Sequence, residues 1–416
     1  MGYEMSKEID LNMQHITLKE FTEYIKDRIE MEEFGSPVLG LGKSGIGKTE
    51  SMENAIVKPL GINMIQMRLG SYDETDLTGI PMPQMDEKAG KMLTKFADMG
   101  KLPQVARDGE VGILVLDEFT NANPRVRAAA LQLTDSSRSV GDYTLPPKWL
   151  IVILGNGPGD GGYFNGLEYA LMGRADCFRV DVNFADWKDW ALRNGVHPIV
   201  ISFIEAEGGE TMLHRMKNMD EAEYEEKDAN PRSWVKLSTH LTKKEAKVGR
   251  LTERQVKIYA GGAVGSDLAQ TFATYYTQQK EIIKAADIFS GAALSMEMTR
   301  EKTYSLYVSM LYLANAVVSL LEENKKKIVN EDRLNSSAET SLRNTFKFIK
   351  KVADVNAEVA VSALSSIRTA SNGLFEVLVN SYDFDDIYPE FLEIGLEKMA
   401  VLNSKQQIEV ELGRSR

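Results

Sequence analysis

Cysteine is almost absent from this chain. Only Cys177 occurs among 416 residues, which excludes an internal disulfide framework and is typical of a reducing compartment. We therefore expect a cytoplasmic protein in which Cys177 is a small, buried apolar group. Histidine is also scarce, because the chain contains only His15, His197, His214 and His240. Their scattered positions match no metal-ligand spacing, so a metal site built from His and Cys is not expected.

Basic residues are outnumbered by acidic ones. The chain has 49 Lys and Arg against 61 Asp and Glu, which gives a formal net charge of -12. Binding to a phosphate backbone is driven by clustered Lys and Arg. The acidic balance therefore disfavours nucleic acid as the main partner. It does not exclude a local basic patch on the surface.

Long apolar runs are missing as well. The first ten residues include four charged side chains and no apolar run behind a basic start, so they do not indicate a signal peptide. The most apolar stretch, Thr303 to Leu321, is interrupted by three serines and an asparagine. A buried helix explains this stretch better than a membrane span. With 43% hydrophobic residues, the chain should form about two to three soluble domains.

The first part of the chain alternates between strand and helix patterns. Thr17 and Glu20 form a capping box, which predicts a helix over residues 17–32 that begins in earnest at Leu18. Apolar runs predict strands at Val38 to Leu41, Asn63 to Leu69, Val111 to Leu116 and Trp149 to Leu154. This alternation indicates an α/β fold with a parallel, doubly wound sheet that binds ligands at the carboxyl ends of its strands.

After about Val182 the pattern contains helices only. We predict three domains: an α/β core over residues 1–182, a helical lid over 183–284 and an all-helical C-terminal extension over 285–416. Within the extension, six residues could form a docking surface for a client: Tyr304, Leu306, Tyr307, Met310, Leu311 and Leu313. Packing against the lid is the favoured interpretation of these residues.

A glycine-rich loop lies between the first predicted buried strand and the next helix. Residues 42–49 read Gly42-Lys43-Ser44-Gly45-Ile46-Gly47-Lys48-Thr49, which fits the P-loop pattern, and we add Glu50 to this nucleotide-binding set. The glycines let backbone N–H groups surround phosphates, Lys48 can reach the outer phosphates, and Thr49 offers a hydroxyl to Mg2+. A chance match is the alternative, but the flanking strand and helix favour nucleotide binding.

An acidic pair, Asp117-Glu118, ends the strand predicted at Val111 to Leu116. Its position predicts that Asp117 holds Mg2+ next to Thr49 and that Glu118 polarises the attacking water. An acidic cap at the start of a helix is the alternative interpretation. The presence of the glycine loop favours the catalytic role.

Taken together, these motifs resemble the MoxR-like branch of the AAA+ ATPases, close to the dynein-related group. The similarity covers about residues 36–182 and continues more loosely to about 280. Four further segments carry it: Asp76-Leu77-Thr78-Gly79, the run from Leu116 to Pro124, Gly141 to Pro146, and Asn230-Pro231-Arg232-Ser233. The resemblance implies a P-loop NTPase core followed by a helical lid.

The resemblance also implies roles for three residues outside the two nucleotide motifs. Asn156 would be sensor 1, with a turn asparagine as the alternative, and Arg232 would be sensor 2, with a surface arginine as the alternative. Arg174 lies where the family places an arginine finger that enters a neighbour's site. The family pattern ends Arg-Phe, whereas Ala175 follows here, so Arg179 is a rival.

The function implied by the resemblance is Mg-ATP hydrolysis in a homo-oligomeric, hexameric ring. Such a ring would remodel or activate a protein client, with a von Willebrand factor A domain partner. The cofactors would be ATP and Mg2+. No aromatic pore motif is evident between Ser71 and Gln84, and the aromatic pair Tyr163-Phe164 is better explained by packing. The alternatives are a nucleotide-gated scaffold with little hydrolysis and a GTP-linked or nucleic-acid motor, although the guanine-reading Asn-Lys-x-Asp motif is absent.

Overall fold

The computed structural model describes residues 13–87, 90–97, 100–158, 160, 169–215, 229–279, 282–297, 303–331, 333–371 and 373–381. The chain forms two compact units. The first runs to Asn183 and includes Asn230–Arg232, and the second contains the remainder from Phe184 onwards. Tyr163 and Phe164 lie outside the described residues, as does the N-terminal decapeptide.

A parallel sheet dominates the first unit. The strands in chain order are β1 (Gln14–Thr17), β2 (Val38–Leu41), β3 (Asn63–Arg68), β4 (Ile80–Asp86), β5 (Lys91–Ala97), β6 (Gly112–Asp117), β7 (Ser139–Val140), β8 (Tyr143–Thr144), β9 (Trp149–Gly155) and β10 (Asp176–Asp181). Six of them form the main sheet in the order β1-β10-β2-β9-β6-β3, and all its neighbours run parallel. The pairs β4–β5 and β7–β8 are separate antiparallel hairpins.

Helices cover both faces of this sheet. The helices of the first unit are α1 (Leu18–Glu30), α2 (Lys48–Met52, continued by a π turn at Glu53–Val57 and a last turn at Lys58–Leu60), α3 (Thr75–Thr78), α4 (Val105–Asp108), α5 (Pro124–Gln132) and α6 (Tyr169–Met172). Phe21 and Ile25 of α1 pack with Val38 and Val152 on one face. Residues of α5 pack with Leu114 and Ile153 on the other face. Strands buried on both sides are typical of parallel sheets.

The local sequence signals account for most of these elements. Thr17 accepts a hydrogen bond from the backbone of Glu20 and the Glu20 carboxylate accepts one from the backbone of Thr17, so the predicted capping box is present. The four predicted strands correspond to β2, β3, β6 and β9 within about two residues at each end. The predicted hairpin at Gly141 to Pro146 corresponds to β7 and β8.

The strands β1, β4, β5 and β10 of the first unit were not predicted. Strand β10 lies inside the sheet, but its sequence is Asp-Cys-Phe-Arg-Val-Asp. Its polar residues interrupt the apolar run by which an interior strand is recognised. In β4, two prolines argue against a strand because they cannot donate to a ladder. The hairpin tolerates them because it is an isolated two-stranded pair with one free edge on each strand.

The second unit is helical throughout its described part, apart from a single bridge between Arg215 and Ala229. Its helices are α7 (Phe184–Arg193), α8 (Pro198–Ala206), α9 (Glu210–Leu213), α10 (Pro231–Val248, whose first two residues belong to the first unit), α11 (Glu253–Val264), α12 (Ser266–Gln278), α13 (Ala285–Phe289), α14 (Thr303–Glu323), α15 (Lys325–Glu331), α16 (Ser336–Val355), α17 (Ala357–Ala370) and α18 (Leu374–Ser381). Among the described residues after Val182 the regular elements are helices, as the sequence predicted, and the bridge is too short to form a strand.

Helix α14 is the centre of the second unit. It packs against α7, α8 and α17, and Leu306, Met310, Leu311 and Leu313 are buried. Residues Ser305–Glu323 are long and apolar enough to cross a membrane, but 56% of the apolar window is buried inside the protein, as in the core helix of a soluble protein. These side chains therefore serve packing, as the favoured sequence interpretation had it.

The predicted fold class is confirmed. The first unit is an α/β core with a parallel, doubly wound sheet, and the chain continues into a helical region. Cys177 lies in β10, where burial raises the pKa of its thiol to about 11. The thiol is therefore favoured in its protonated form near neutral pH, which argues against a role as a nucleophile.

Candidate nucleotide site

The glycine loop connects the end of β2 to the start of α2 and follows a path that only glycines allow. Gly45 and Gly47 have φ values of 77° and 95°, in the left-handed region that side chains rarely adopt. A Cβ at Gly42 would lie 2.5 Å from the carbonyl oxygen of Val180 in β10. The loop therefore packs closely against the sheet at Gly42 and turns sharply at Gly45 and Gly47. Lys48 follows in the first turn of α2.

The loop contains two charged side chains, Lys43 and Lys48, and Lys48 points back onto the loop's own backbone. Its ammonium donates to the carbonyl oxygens of Gly42 at 2.5 Å and Lys43 at 3.0 Å. Burial lowers the pKa of Lys48 to about 8; Asp117 and Asp160 partly counteract this effect, whereas Arg179 and Arg232 add to it. Several charged groups of the first unit therefore surround one ammonium.

Asp117 occupies the carboxyl end of β6 beside Thr49. Its Oδ2 accepts a hydrogen bond from the Thr49 hydroxyl at 3.3 Å and another from Nε2 of Gln66 at 2.6 Å. Gln66 lies in the neighbouring strand β3, and the sequence analysis missed it. The signal that could have found it is an amide side chain in the middle of the strand that pairs with the acidic strand. Gln66 orients the carboxylate, as partners of metal ligands commonly do.

Glu118 has an unusual backbone conformation. Its φ of 57° is one of three positive values among the described non-glycine residues, and such strain tends to persist at functional sites. Its side chain is exposed, and Oε2 lies 2.8 Å from the position that a Cβ on Gly70 would occupy. Gly70 therefore leaves room for this carboxylate beside the sheet edge.

Asn156 directly follows β9, the strand that lies between β2 and β6. This strand order places Asn156 between the glycine loop on one side and the acidic pair on the other. Its backbone N–H donates to the hydroxyl of Thr120 at 3.0 Å. Thr120 comes two residues after Glu118, so the two loops that carry Glu118 and Asn156 are joined by a hydrogen bond.

Arg232 approaches the tip of the glycine loop. Its backbone N–H donates to the carbonyl oxygen of Gly45 at 3.2 Å, and its side chain is exposed. Asn230 also packs there, because its Oδ1 lies 2.8 Å from the position of a Cβ on Gly45. The positive charge of Arg232 is one of those that lower the pKa of Lys48. The structure thus brings the predicted sensor 2 residue to the phosphate loop.

Of the two candidate finger residues, Arg174 precedes β10 and Arg179 lies within its second half. The first residue of the strand, Asp176, is in register with Val38 at the amino end of β2. The Arg174 side chain is 43% exposed and forms an ion pair with Asp135. Arg179 is only 7% exposed, is in register with Leu41 next to the glycine loop and forms an ion pair with Asp160. Arg174 is therefore remote from its own chain's phosphate loop, whereas Arg179 lies beside it.

The oxygen donors of Thr49 and Asp117 have the chemistry that a divalent metal such as Mg2+ needs. The described residues contain no group of three or more His, Cys, Asp or Glu that would hold a metal by themselves. Mg2+ characteristically takes only one or two protein oxygens and fills its shell with phosphate oxygens and waters. The hydroxyl of Thr49 and the carboxylate of Asp117, 3.3 Å apart, supply such a pair.

Comparison with known proteins gives structural similarities only. No protein-family profile matches the chain, and no curated protein does. A candidate ATPase from Cytophaga hutchinsonii is similar at 16% identity and a TM-score of 0.30, over 43% of this chain and 54% of that protein, so only about half of that protein is matched. A RuvB point mutant from Thermotoga maritima has 11% identity and a TM-score of 0.29, over 87% of this chain and 86% of that one.

NtrX from Brucella abortus is similar at 12% identity and a TM-score of 0.29, over 86% of this chain and 70% of that one. Scores this low support no inference about function. The assignment of the fold therefore rests on the strand order and on the glycine loop between β2 and α2.

Proposed function

We propose that this protein is a Mg-ATP-dependent ATPase of the AAA+ type, MoxR-like, that works as a homo-oligomeric ring. The observation that carries the proposal is the convergence of the glycine loop, Asp117, Glu118 and Asn156 at the carboxyl ends of three adjacent strands. A substrate triphosphate needs little covalent chemistry from the protein, since catalysis of phosphoryl transfer is mostly positioning and charge stabilisation. These groups are suited to both tasks.

Each group has a distinct task in ATP hydrolysis. The backbone N–H groups of residues 42–50 and the Lys48 ammonium bind the phosphates at the N-terminus of α2. Thr49 and Asp117 would hold Mg2+, which neutralises charge on the phosphate oxygens when bound. Glu118 orients and polarises the attacking water, and Asn156 holds that water from the neighbouring strand end. Arg232 adds positive charge at the loop tip.

The arginine finger is assigned to Arg174, acting on a neighbouring subunit. An arginine finger has to leave its own chain, and Arg174 is exposed at the end of the sheet opposite its own phosphate loop. Arg179 is unsuited because it is buried and paired with Asp160. Hydrolysis would then depend on assembly, as expected of a hexameric ring. By resemblance to MoxR-like proteins, the ring would act in the cytoplasm on a protein client together with a von Willebrand factor A domain partner.

The test is steady-state ATPase activity against protein concentration, with sizing in the presence of ATP. We expect a specific rate that rises with concentration in the wild type and is lost in Glu118→Gln and Arg174→Ala, while Glu118→Gln still assembles. Glu110→Gln, at an exposed position before β6, and Asp135→Asn, which frees Arg174 from its ion pair, are the matched controls and should retain activity.

Two outcomes would contradict the proposal. Tight ATP binding with negligible hydrolysis at every concentration would favour the nucleotide-gated scaffold. A clear preference for GTP, or stimulation by DNA, would favour a different motor class. Full activity of Arg174→Ala would leave the ATPase intact and refute only the finger in trans.

A further inference from the structure

A buried ion pair contacts Gly157, the residue that follows the predicted sensor residue Asn156. Asp160 and Arg179 are 4% and 7% exposed, and a guanidinium N–H of Arg179 donates to the Asp160 carboxylate. Taking two opposite charges out of water costs much of what their attraction returns, so a buried ion pair is weak evidence of stabilisation. The location of the pair beside Asn156 indicates a role other than stabilisation of the fold.

Asp160 fastens the residue that follows Asn156. The Oδ2 atom of Asp160 accepts a hydrogen bond from the backbone N–H of Gly157 at 2.7 Å, and the backbone N–H of Asp160 donates to the carbonyl oxygen of Gly157 at 3.2 Å. Gly157 is thus held by two hydrogen bonds from one residue. Since Asn156 and Gly157 share a peptide bond, the position of Asn156 depends on this attachment.

Arg179 connects this attachment to the sheet. It lies in β10 opposite Leu41, the last residue before the glycine loop. A Cβ on Gly157 would lie only 1.7 Å from Nη1 of Arg179, so the chain passes directly over the guanidinium and only glycine fits there. Both charges of the pair also act on the Lys48 ammonium, which shows that the pair is part of the same charge cluster as the phosphate loop.

The other side of Asn156 is held by Thr120, which accepts a hydrogen bond from its backbone N–H. Asn156 is therefore fixed between the loop that carries Glu118 and the Asp160–Arg179 pair. We propose that Asp160 and Arg179 are positioning residues that set the place of Asn156 relative to Glu118 and the phosphate loop. This inference rests on the proposed ATPase function, because Asn156 acts only if ATP is hydrolysed.

The decisive variant is Asp160→Asn/Arg179→Met. Removal of one partner alone would leave an uncompensated buried charge, whereas removal of both abolishes the pair without one. We expect kcat to fall by about 10- to 100-fold, since a misplacement of about 1 Å costs up to this much, while the Kd for ATP stays within about threefold. In an Asn156→Ala background the same double change should alter kcat by less than about threefold, because the pair acts through Asn156.

Arg28→Gln is the matched control. Arg28 is buried and forms an ion pair with the partly exposed Asp176 at the start of β10, and its loss should lower the thermal midpoint but leave kcat unchanged. If the double variant fails to fold by near-UV circular dichroism, Arg179→Lys is judged by the same criteria, since it keeps a positive charge beside Asp160 but loses the guanidinium.

Three results would overturn the positioning role. The first is a wild-type kcat in a folded double variant. The second is a loss of kcat that multiplies with the loss caused by Asn156→Ala. The third is a fall in kcat that Arg28→Gln reproduces when it lowers the stability by the same amount. A wild-type protein that does not hydrolyse ATP would overturn the proposed function and this inference together. Hydrolysis by the wild type with any of the three results would overturn the inference alone.

Discussion

The two units of the molecule use buried polar groups differently. In the helical unit these groups contact one another: Lys188 donates to both carboxylate oxygens of Glu205 at 2.9 and 3.0 Å, and Tyr307 donates to the same carboxylate. In the α/β unit some polar groups also pair, as Arg179 and Asp160 do, but others lie at strand ends around the glycine loop, where Gln66 donates to Asp117 and Thr120 accepts from the backbone of Asn156. The first arrangement joins helices, and the second leaves charge and hydrogen-bonding capacity available for phosphates.

Shifted pKa values occur in both units and therefore do not distinguish the structural arrangement from the one around the glycine loop. Burial beside Glu205 raises the pKa of Tyr307, and burial with the hydrogen bond to Glu245 raises that of Tyr276 to about 12. Both tyrosines belong to the helical unit and have partners that explain their shifts. Perturbed titration is therefore only a probabilistic sign of function. What distinguishes the α/β unit is the convergence of such groups at the carboxyl edge of a parallel sheet.

The comparison predicts the largest effect for Lys48→Ala. Loss of its charge-assisted hydrogen bonds to phosphate should weaken ATP binding by about 100-fold or more, with no change in the far-UV circular dichroism spectrum. Lys58→Ala, which removes an exposed lysine from the end of the same helix, is the control. Titration with a fluorescent ATP analogue measures both, and equal affinities would remove the basis for the phosphate site.

The next largest effect is expected for Gly157→Ala, because the new methyl group would collide with the Arg179 guanidinium. The free energy of unfolding should fall by about 2–4 kcal/mol through overpacking and disruption of the buried pair. Urea denaturation measures the change. A loss below about 0.5 kcal/mol would mean that the loop has room which the structure does not show.

In the helical unit, Glu245→Gln should affect stability but not ATPase activity. Glu245 accepts hydrogen bonds from Tyr276 and pairs with His197 at 3.1 Å, and its replacement should lower the free energy of unfolding by about 1–3 kcal/mol. An equal loss of ATPase activity in folded protein would show that the division of roles between the two units is wrong.

The same variant tests a pH dependence. Burial by itself would raise the pKa of Glu245, but the hydrogen bond and charge of His197 and the hydrogen bond of Tyr276 bring it below its usual value of 4.5. The ionised form is thus favoured by folding, so this stability is present above about pH 4.5 and is lost as the pH falls through the folded-state pKa. Urea denaturation between pH 3 and 7 should show a smaller acid-side loss in Glu245→Gln than in the wild type.

The smallest effect is expected for Gly262→Ala in α11. A Cβ there would meet nothing within 4 Å, and alanine is the better helix former, so the free energy of unfolding should rise by about 0.5–1 kcal/mol. This change contrasts with Gly157→Ala at the site. Thermal denaturation of the two alanine variants side by side should give shifts of opposite sign.

Much of the site could be predicted because its signals are local. The glycines, Lys48 and Thr49 are contiguous, and Asp117-Glu118 ends a strand that is recognisable by its apolar run. Gln66 and Asp160 could not be predicted in the same way. Gln66 meets Asp117 across 51 residues of sequence, and Asp160 meets Arg179 through a strand whose polar pattern conceals it.

The sequence by itself determined the phosphate loop, the helix cap at Thr17 and the strand that carries the acidic pair, because each depends on residues within a few positions of one another. Only the tertiary structure decided that β9 lies between β2 and β6, which places Asn156 between Lys48 and Glu118. It also decided that Arg179 is buried against Asp160 whereas Arg174 is exposed. Strand order and ion pairing depend on contacts between distant segments, and these contacts form only when the whole sheet is assembled.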